Sequence, residues 1–120
     1  MSTVVVLGAS NNPERIAYQA LGRLLGHGHD VIPVSPKGGS IHGLAVLPDL
    51  RAIQQPVDTL TMYVAPHRQQ AMLDEIVALH PRRVIFNPGS ENPALYETLQ
   101  RRGIEVEEAC TLVLLSTHQF

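Results

Sequence analysis

The sequence predicts an α/β domain, doubly wound around a parallel sheet of about five strands with helices on both faces. Three observations carry that expectation. Short apolar runs alternate with stretches of helical periodicity, the runs are continuous and aliphatic, and Gly- and Pro-rich turns separate them. Continuous runs suit strands buried on both faces, the condition of a parallel sheet. At 120 residues the chain has the length of one domain, residues 1–120, and can bury roughly 65% of the surface its unfolded form exposes.

Val4–Leu7 is the first strand. Ile16, Ala17, Ala20, Leu21, Leu24 and Leu25 then recur at helical spacing until Gly26 and Gly28 stop the pattern. Asn12-Pro13 reads as an N-cap followed by Pro at the first helical position, which puts Arg15 at about the third. Val31-Ile32-Pro33-Val34 is the second strand, and Pro33 predicts that it is irregular or briefly unpaired. A polar, irregular stretch with Gly43 and a short helical turn near 49–53 leads to a third strand, Val57–Val64. Ala65-Pro66 opens a helix that buries Met72, Leu73, Ile76, Val77 and Leu79 and ends at His80-Pro81. Arg82–Phe86 is the fourth strand, Asn92-Pro93 starts a helix that buries Leu95, Tyr96 and Leu99 before Gly103, and Ile104–Val106 is a fifth, short strand. The tail, Cys110–Leu115, fits a helix or a strand equally by composition.

A formal net charge of −2 supplies no basic field for a nucleic-acid backbone, and Arg82-Arg83 and Arg101-Arg102 are too few to make one. No apolar run approaches the ~18 residues of a membrane span, and no basic segment precedes Val4–Leu7 as in an export signal. Cys110 is the single cysteine, so there is no internal disulfide, and a reducing cytoplasm is the expected location. His27 and His29 share only an i, i+2 spacing beside Asp30, which assigns no metal. Glu107-Glu108 precede Cys110 and dull it as a nucleophile, and no base and orienting group assemble around Ser10, Ser35 or Ser90. No catalytic residue is assigned. Oligomeric state and protein partners stay open.

Ligands of doubly wound sheets sit beyond the carboxyl ends of the strands. There the chain concentrates Gly, Pro and small polar residues, while the opposite ends carry plain helix stops and turns. In the first loop, Gly8 tolerates positive φ and close approach of a ligand, and Ala9, Ser10 and Asn11 lead to a helix start whose free N–H groups face an anion. An ordinary strand-to-helix turn would read the same way. An NAD site needs G-x-G-x-x-G here and a carboxylate after the second strand. Instead Gly8 is followed by Ser10, and the second strand ends in Ser35-Pro36-Lys37. Lys37 places a cation where NAD enzymes place an anion, which suits a phosphate on or near the ribose, as in NADP or coenzyme A. Arg15 either completes an anion clamp or is an exposed arginine that opposes the helix dipole.

Taken together, Val5-Val6-Leu7-Gly8-Ala9-Ser10, Pro13-Glu14-Arg15, the run Gly28–Lys37, Gly43, Val57-Asp58 and Ala109-Cys110 resemble the small stand-alone CoA-binding proteins, whose Rossmann-like fold is similar to the CoA-binding domain of the succinyl-CoA synthetase α subunit. The resemblance spans essentially the whole chain. It implies that Ala9, Ser10, Asn11 and Arg15 form a pyrophosphate loop with Gly8, that Pro36 and Lys37 flank the adenosine and its 3′-phosphate, and that Val64, Ala65 and Pro66 wall the adenine. Asn87, Gly89 and Glu91 would border the pantetheine arm; many relatives have a Trp and a Gln near this strand end, where this chain has Phe86–Asn92. It implies no phosphohistidine among the six histidines. His67, at the strand ends, reads as a solvent-facing residue of a first helical turn. The expected function is non-covalent binding of coenzyme A or an acyl-CoA without catalysis; the alternatives are an NADP-dependent oxidoreductase-like protein and a structural or regulatory subunit with an empty nucleotide site.

Overall fold

A computed structural model describes residues 2–120. In chain order the elements are β1 (Thr3–Leu7), α1 (Ile16–Gly26), β2 (Asp30–Val34), β3 (Ser40–Ile41), β4 (Leu44–Ala45), a 3₁₀ turn (Leu50–Ala52), β5 (Thr59–Met62), α2 (Pro66–Gln69), a second 3₁₀ turn (Gln70–Met72), α3 (Leu73–Leu79), β6 (Arg83–Phe86), α4 (Pro93–Arg101), β7 (Glu105–Glu108) and α5 (Thr111–Ser116). Five strands form one parallel sheet in the order β2-β1-β5-β6-β7, and β3 and β4 form a separate antiparallel hairpin. This is the doubly wound, Rossmann-like fold that the alternating runs predict.

The period-two geometry of β1 explains the two layers. Val4 and Val6 face one side, where they pack with Ala17, Leu21 and Leu24 of α1 and Leu115 of α5. Val5 and Leu7 face the other, with Leu60, Phe86, Ile76 of α3 and Leu95 and Leu99 of α4. Each burial of a Val, Leu, Ile or Phe side chain among these contributes about 1.5–3 kcal/mol. Because α1 takes the chain from β1 to β2 on one side and β5 then pairs on the other side of β1, the strand order reverses between β1 and β5. Such a reversal splits the connections apart and leaves a crevice at the strand ends.

Several local expectations are corrected. Helix α1 starts at Ile16 rather than at Pro13, so Arg15 is its N-cap residue, with extended backbone, and not the third helical residue. Asn12 caps a separate turn instead: its Oδ1 accepts the Glu14 amide at 3.0 Å and its carbonyl accepts that of Arg15. The buried set Ala17, Leu21 and Leu24 needs helical register only from Ile16 onward. β2 is regular rather than broken by Pro33, which pairs in register with Val6; β2 is an edge strand, and on its open side Leu47 N donates to Pro33 O. The stretch around Gly43 is the β3–β4 hairpin, whose turn residues His42 and Gly43 both hold positive φ (50° and 79°), the geometry of a type I′ turn. The helix after Pro66 is interrupted by the Gln70–Met72 turn before α3. The tail, left open between helix and strand by its composition, is helical, as α5.

Candidate functional site

A cleft of about 710 Å³ opens at the carboxyl ends of β1, β2 and β5, where the strand order reverses. Its floor is the loop after β1. Gly8 has φ 89°, and a Cβ there would stand 3.1 Å from the Tyr63 carbonyl carbon and from Val64 Cγ2. Only glycine lets β1 turn this close to the chain leaving β5. The amides of Gly8 and Ala9 both donate to Val34 O, at 3.0 and 3.1 Å, so the loop is locked to β2. Ser10 Oγ accepts the Asn12 amide at 3.1 Å. Among the described residues, the amides of Ser10, Asn11, Ile16, Ala17 and Tyr18 have no protein acceptor. They are the donors left over for an anion at the mouth of α1.

Opposite stands the loop after β2. Ser35 is buried; its Oγ accepts the Lys37 amide at 3.3 Å and its carbonyl accepts that of Gly38. Lys37 and Pro36 are exposed on this loop and line the cleft. The third wall comes from Tyr63 and Val64 and from the first helical turn after them. Burial raises the Tyr63 phenol pKa above its ordinary value, and its enclosed hydroxyl has no hydrogen-bond partner among the described residues.

The unpaired cations favour an anion. Arg15, Lys37 and Arg68 face the cleft and take part in none of the ion pairs among the described residues. Of the carboxylates there, Asp49 is paired with Arg51 at 3.1 Å, which holds its pKa below the usual range, and Glu75 Oε1 accepts the Leu50 amide at 3.2 Å. Among the described residues Glu14 alone of these carboxylates has no side-chain partner. Arg15 at an N-cap is unfavourable against the helix dipole, and an anion in the cleft reverses the sign.

Of the residues that the sequence pointed to, Gly8, Ala9, Ser10, Asn11, Arg15, Pro36, Lys37 and Val64 line this one cleft. The others do not. Ala65 is the N-cap residue of α2, and Pro66 its first residue, with a carbonyl that accepts Asn92 Nδ2. Asn87 is buried, donating through Nδ2 to Thr61 Oγ1 and Met62 O and accepting the Thr111 amide. Gly89 donates its amide to Glu91 Oε1 at 2.8 Å, which closes the loop on itself. Conversely, Arg68, Met72, Leu50, Ile41 and Val46 line the cleft without having been assigned to it from the sequence, which read Met72 as core. Arg68 carried one available signal, a cation two residues after the proline of the third post-strand loop. The apolar residues arrive through tertiary folding of the hairpin and the 3₁₀ turns.

No group of three or more His, Cys, Asp or Glu among the described residues is arranged to hold a metal, and no helix among them is long and apolar enough to cross a membrane. A doubly wound sheet with free cations and backbone donors in the cleft at its switch point is the architecture of nucleotide-binding domains. The chain belongs to the CoA binding domain family, whose sequence profile matches residues 2–116. It is 21% identical over 100 residues to the uncharacterized protein YneT of Bacillus subtilis (strain 168), covering 83% of this chain and 74% of that one. A crystal structure of an uncharacterized protein superposes with a TM-score of 0.96 at 43% identity, covering 100% of this chain and 98% of the other. The dinucleotide-forming acetyl-coenzyme A synthetase 1 of Ca. Korarchaeum cryptofilum, in complex with phosphate and ADP, superposes with a TM-score of 0.75 at 25% identity over 90% of this chain, which corresponds to 25% of that enzyme.

Proposed function

We propose that this protein binds coenzyme A or an acyl-CoA non-covalently in the cleft between the β1 and β2 loops. The single observation that carries the reading is the pairing of two unpartnered cations, Arg15 at the mouth of α1 and Lys37 after β2, across one cleft with free backbone donors between. The amides of Ser10, Asn11 and the first turn of α1 would take the pyrophosphate, joined by Arg15, and Lys37 would take a phosphate on the ribose. Pro36, Val64 and the apolar wall from Leu50 and Met72 suit a flat heterocycle, and a cleft of this size is ordinary for a cofactor site. Membership of the CoA binding domain family favours coenzyme A over NADP.

The cleft acts as a binding module. The hydroxyls of Ser10 and Ser35 accept backbone amides, and among the described residues neither donates to a side-chain base, so the cleft offers binding groups rather than an activated nucleophile. A reducing cytoplasm suits the unpaired Cys110.

Native mass spectrometry of the purified protein, followed by thermal-shift titration with CoA, acetyl-CoA and NADPH, tests this. Retained CoA, or a midpoint raised by CoA species and not by NADPH, is the expected result. Stabilisation by NADPH with none by any CoA species overturns it.

A further inference from the structure

The loop that carries Lys37 runs straight into the β3–β4 hairpin through Gly38 and Gly39, both at positive φ (64° and 86°) and without side chains to hold them. Its near end is fixed by Ser35. Its far end is fixed by the hairpin: Val46 N donates to Gly39 O at 2.9 Å, and the buried side chains of Ile41 and Val46 line the cleft. What fixes the hairpin tip is a pair of individually unfavourable residues that fit each other. His42, exposed, takes a φ of 50°, which non-glycine residues rarely adopt. Its ring lies 4.5 Å from that of Tyr18 on α1, centroid to centroid. Gly22 occupies the interior of α1, where glycine is disfavoured, and a Cβ there would stand 3.2 Å from His42 Nε2. The missing side chain is the notch into which the imidazole fits.

We infer that His42 and Gly22 are positioning residues for the phosphate end of the site: the imidazole seated in the notch pins the hairpin tip to α1 and so sets where the Lys37 loop stands relative to the mouth of that helix. Ser35 holds the near end of the Lys37 loop through the Lys37 and Gly38 amides, and beyond the glycine pair the pin adds a second anchor, on α1 itself. The ligand feature read through this device is a phosphomonoester on the ribose. This inference rests on the reading of the cleft as a coenzyme A site.

Calorimetric affinities for CoA and dephospho-CoA, measured on the wild type, His42→Asn, Gly22→Leu, Lys37→Ala and the His42→Asn/Lys37→Ala double variant, test it. Asn keeps the left-handed tip and removes the ring; Leu fills the notch while favouring the helix. The preference for CoA over dephospho-CoA is expected to fall roughly tenfold or more in His42→Asn and Gly22→Leu, as in Lys37→Ala. Dephospho-CoA binding should stay within about twofold of wild type, and the double variant should fall no further than Lys37→Ala. His42→Phe, which keeps a ring for Tyr18, should recover most of the preference. The inference is overturned if the preference survives in both single variants, if the double variant loses the product of the two effects, or if both ligands weaken together. If one variant fails to fold by circular dichroism the other decides; if both fail, the ring belongs to the core and the inference is wrong. A wild type that binds CoA no better than dephospho-CoA instead rejects the underlying reading of Lys37, which separates the two failures.

Discussion

Asn87 Oδ1 accepts the amide of Thr111 at 2.9 Å, so a residue at the end of β6 caps the chain where α5 begins. The same side chain donates to Thr61 Oγ1 at 2.7 Å and to Met62 O at 3.0 Å, and the Thr61 and Thr111 hydroxyls lie 2.8 Å apart. All four residues are buried. Asn87→Ala should therefore cost about 2–4 kcal/mol in urea unfolding, because it strands buried donors and acceptors. The ratio of CoA to dephospho-CoA affinity should not move. Unchanged stability would contradict the network.

Gly8→Ala tests the close approach under the cleft. The added Cβ meets the Tyr63 carbonyl carbon, which is backbone and cannot swing away, at a φ that alanine avoids. A loss of about 1–3 kcal/mol is expected in chemical denaturation, together with weaker ligand binding. A variant as stable as wild type would mean that the β1 loop has slack.

Arg15 and Lys37 should give different signatures. Arg15→Ala is expected to weaken CoA and dephospho-CoA alike, by roughly tenfold, because both ligands carry the pyrophosphate. Without ligand the same change should leave stability level or slightly raised, since a cation at the helix mouth opposes the dipole. Thermal melts with and without ligand separate the two effects. Loss of stability in the ligand-free protein would assign Arg15 a fold role instead.

Acid stability should follow Asp58. The Arg82 guanidinium, Nε 2.7 Å from Asp58 Oδ1, holds that carboxyl below the usual carboxylate range. A depressed native pKa means that the unfolded chain binds the proton more tightly, so the contribution is complete above about pH 4 and is lost as the pH falls through the native value. Arg82 is solvent-exposed, which keeps the amplitude to about 1 kcal/mol or less. Urea midpoints measured from pH 6 down to pH 2 should show this limb, and Asp58→Asn should flatten it. An equal slope in both proteins would remove the pair from the acid response.

The doubly wound layers were legible because aliphatic runs such as Val4–Leu7 have one stable home, the inside of a parallel sheet. The two loops that face each other across the cleft were legible for a related reason: Gly8, Ser10 and Lys37 follow directly on predicted strands, and strand ends fix where loops stand. What did not show was anything settled by tertiary fit. The hairpin hides behind His42-Gly43, where histidine stands in for the asparagine that announces a type I′ turn. The start of α1 is displaced because Asn12 has a nearer turn to cap. Asn87 stood beside the pantetheine arm only through the resemblance, and its bonds to Thr61, Met62 and Thr111, which brace the fold, depend on tertiary neighbours that no local pattern shows.

The most direct measurement is isothermal titration calorimetry of the wild-type protein with CoA and with dephospho-CoA at one ionic strength. Saturable binding of both, with CoA tighter by roughly tenfold or more, is what a cleft that clamps the pyrophosphate at α1 and reads the ribose phosphate at Lys37 requires. No binding of either, or equal affinity for the two, would contradict it.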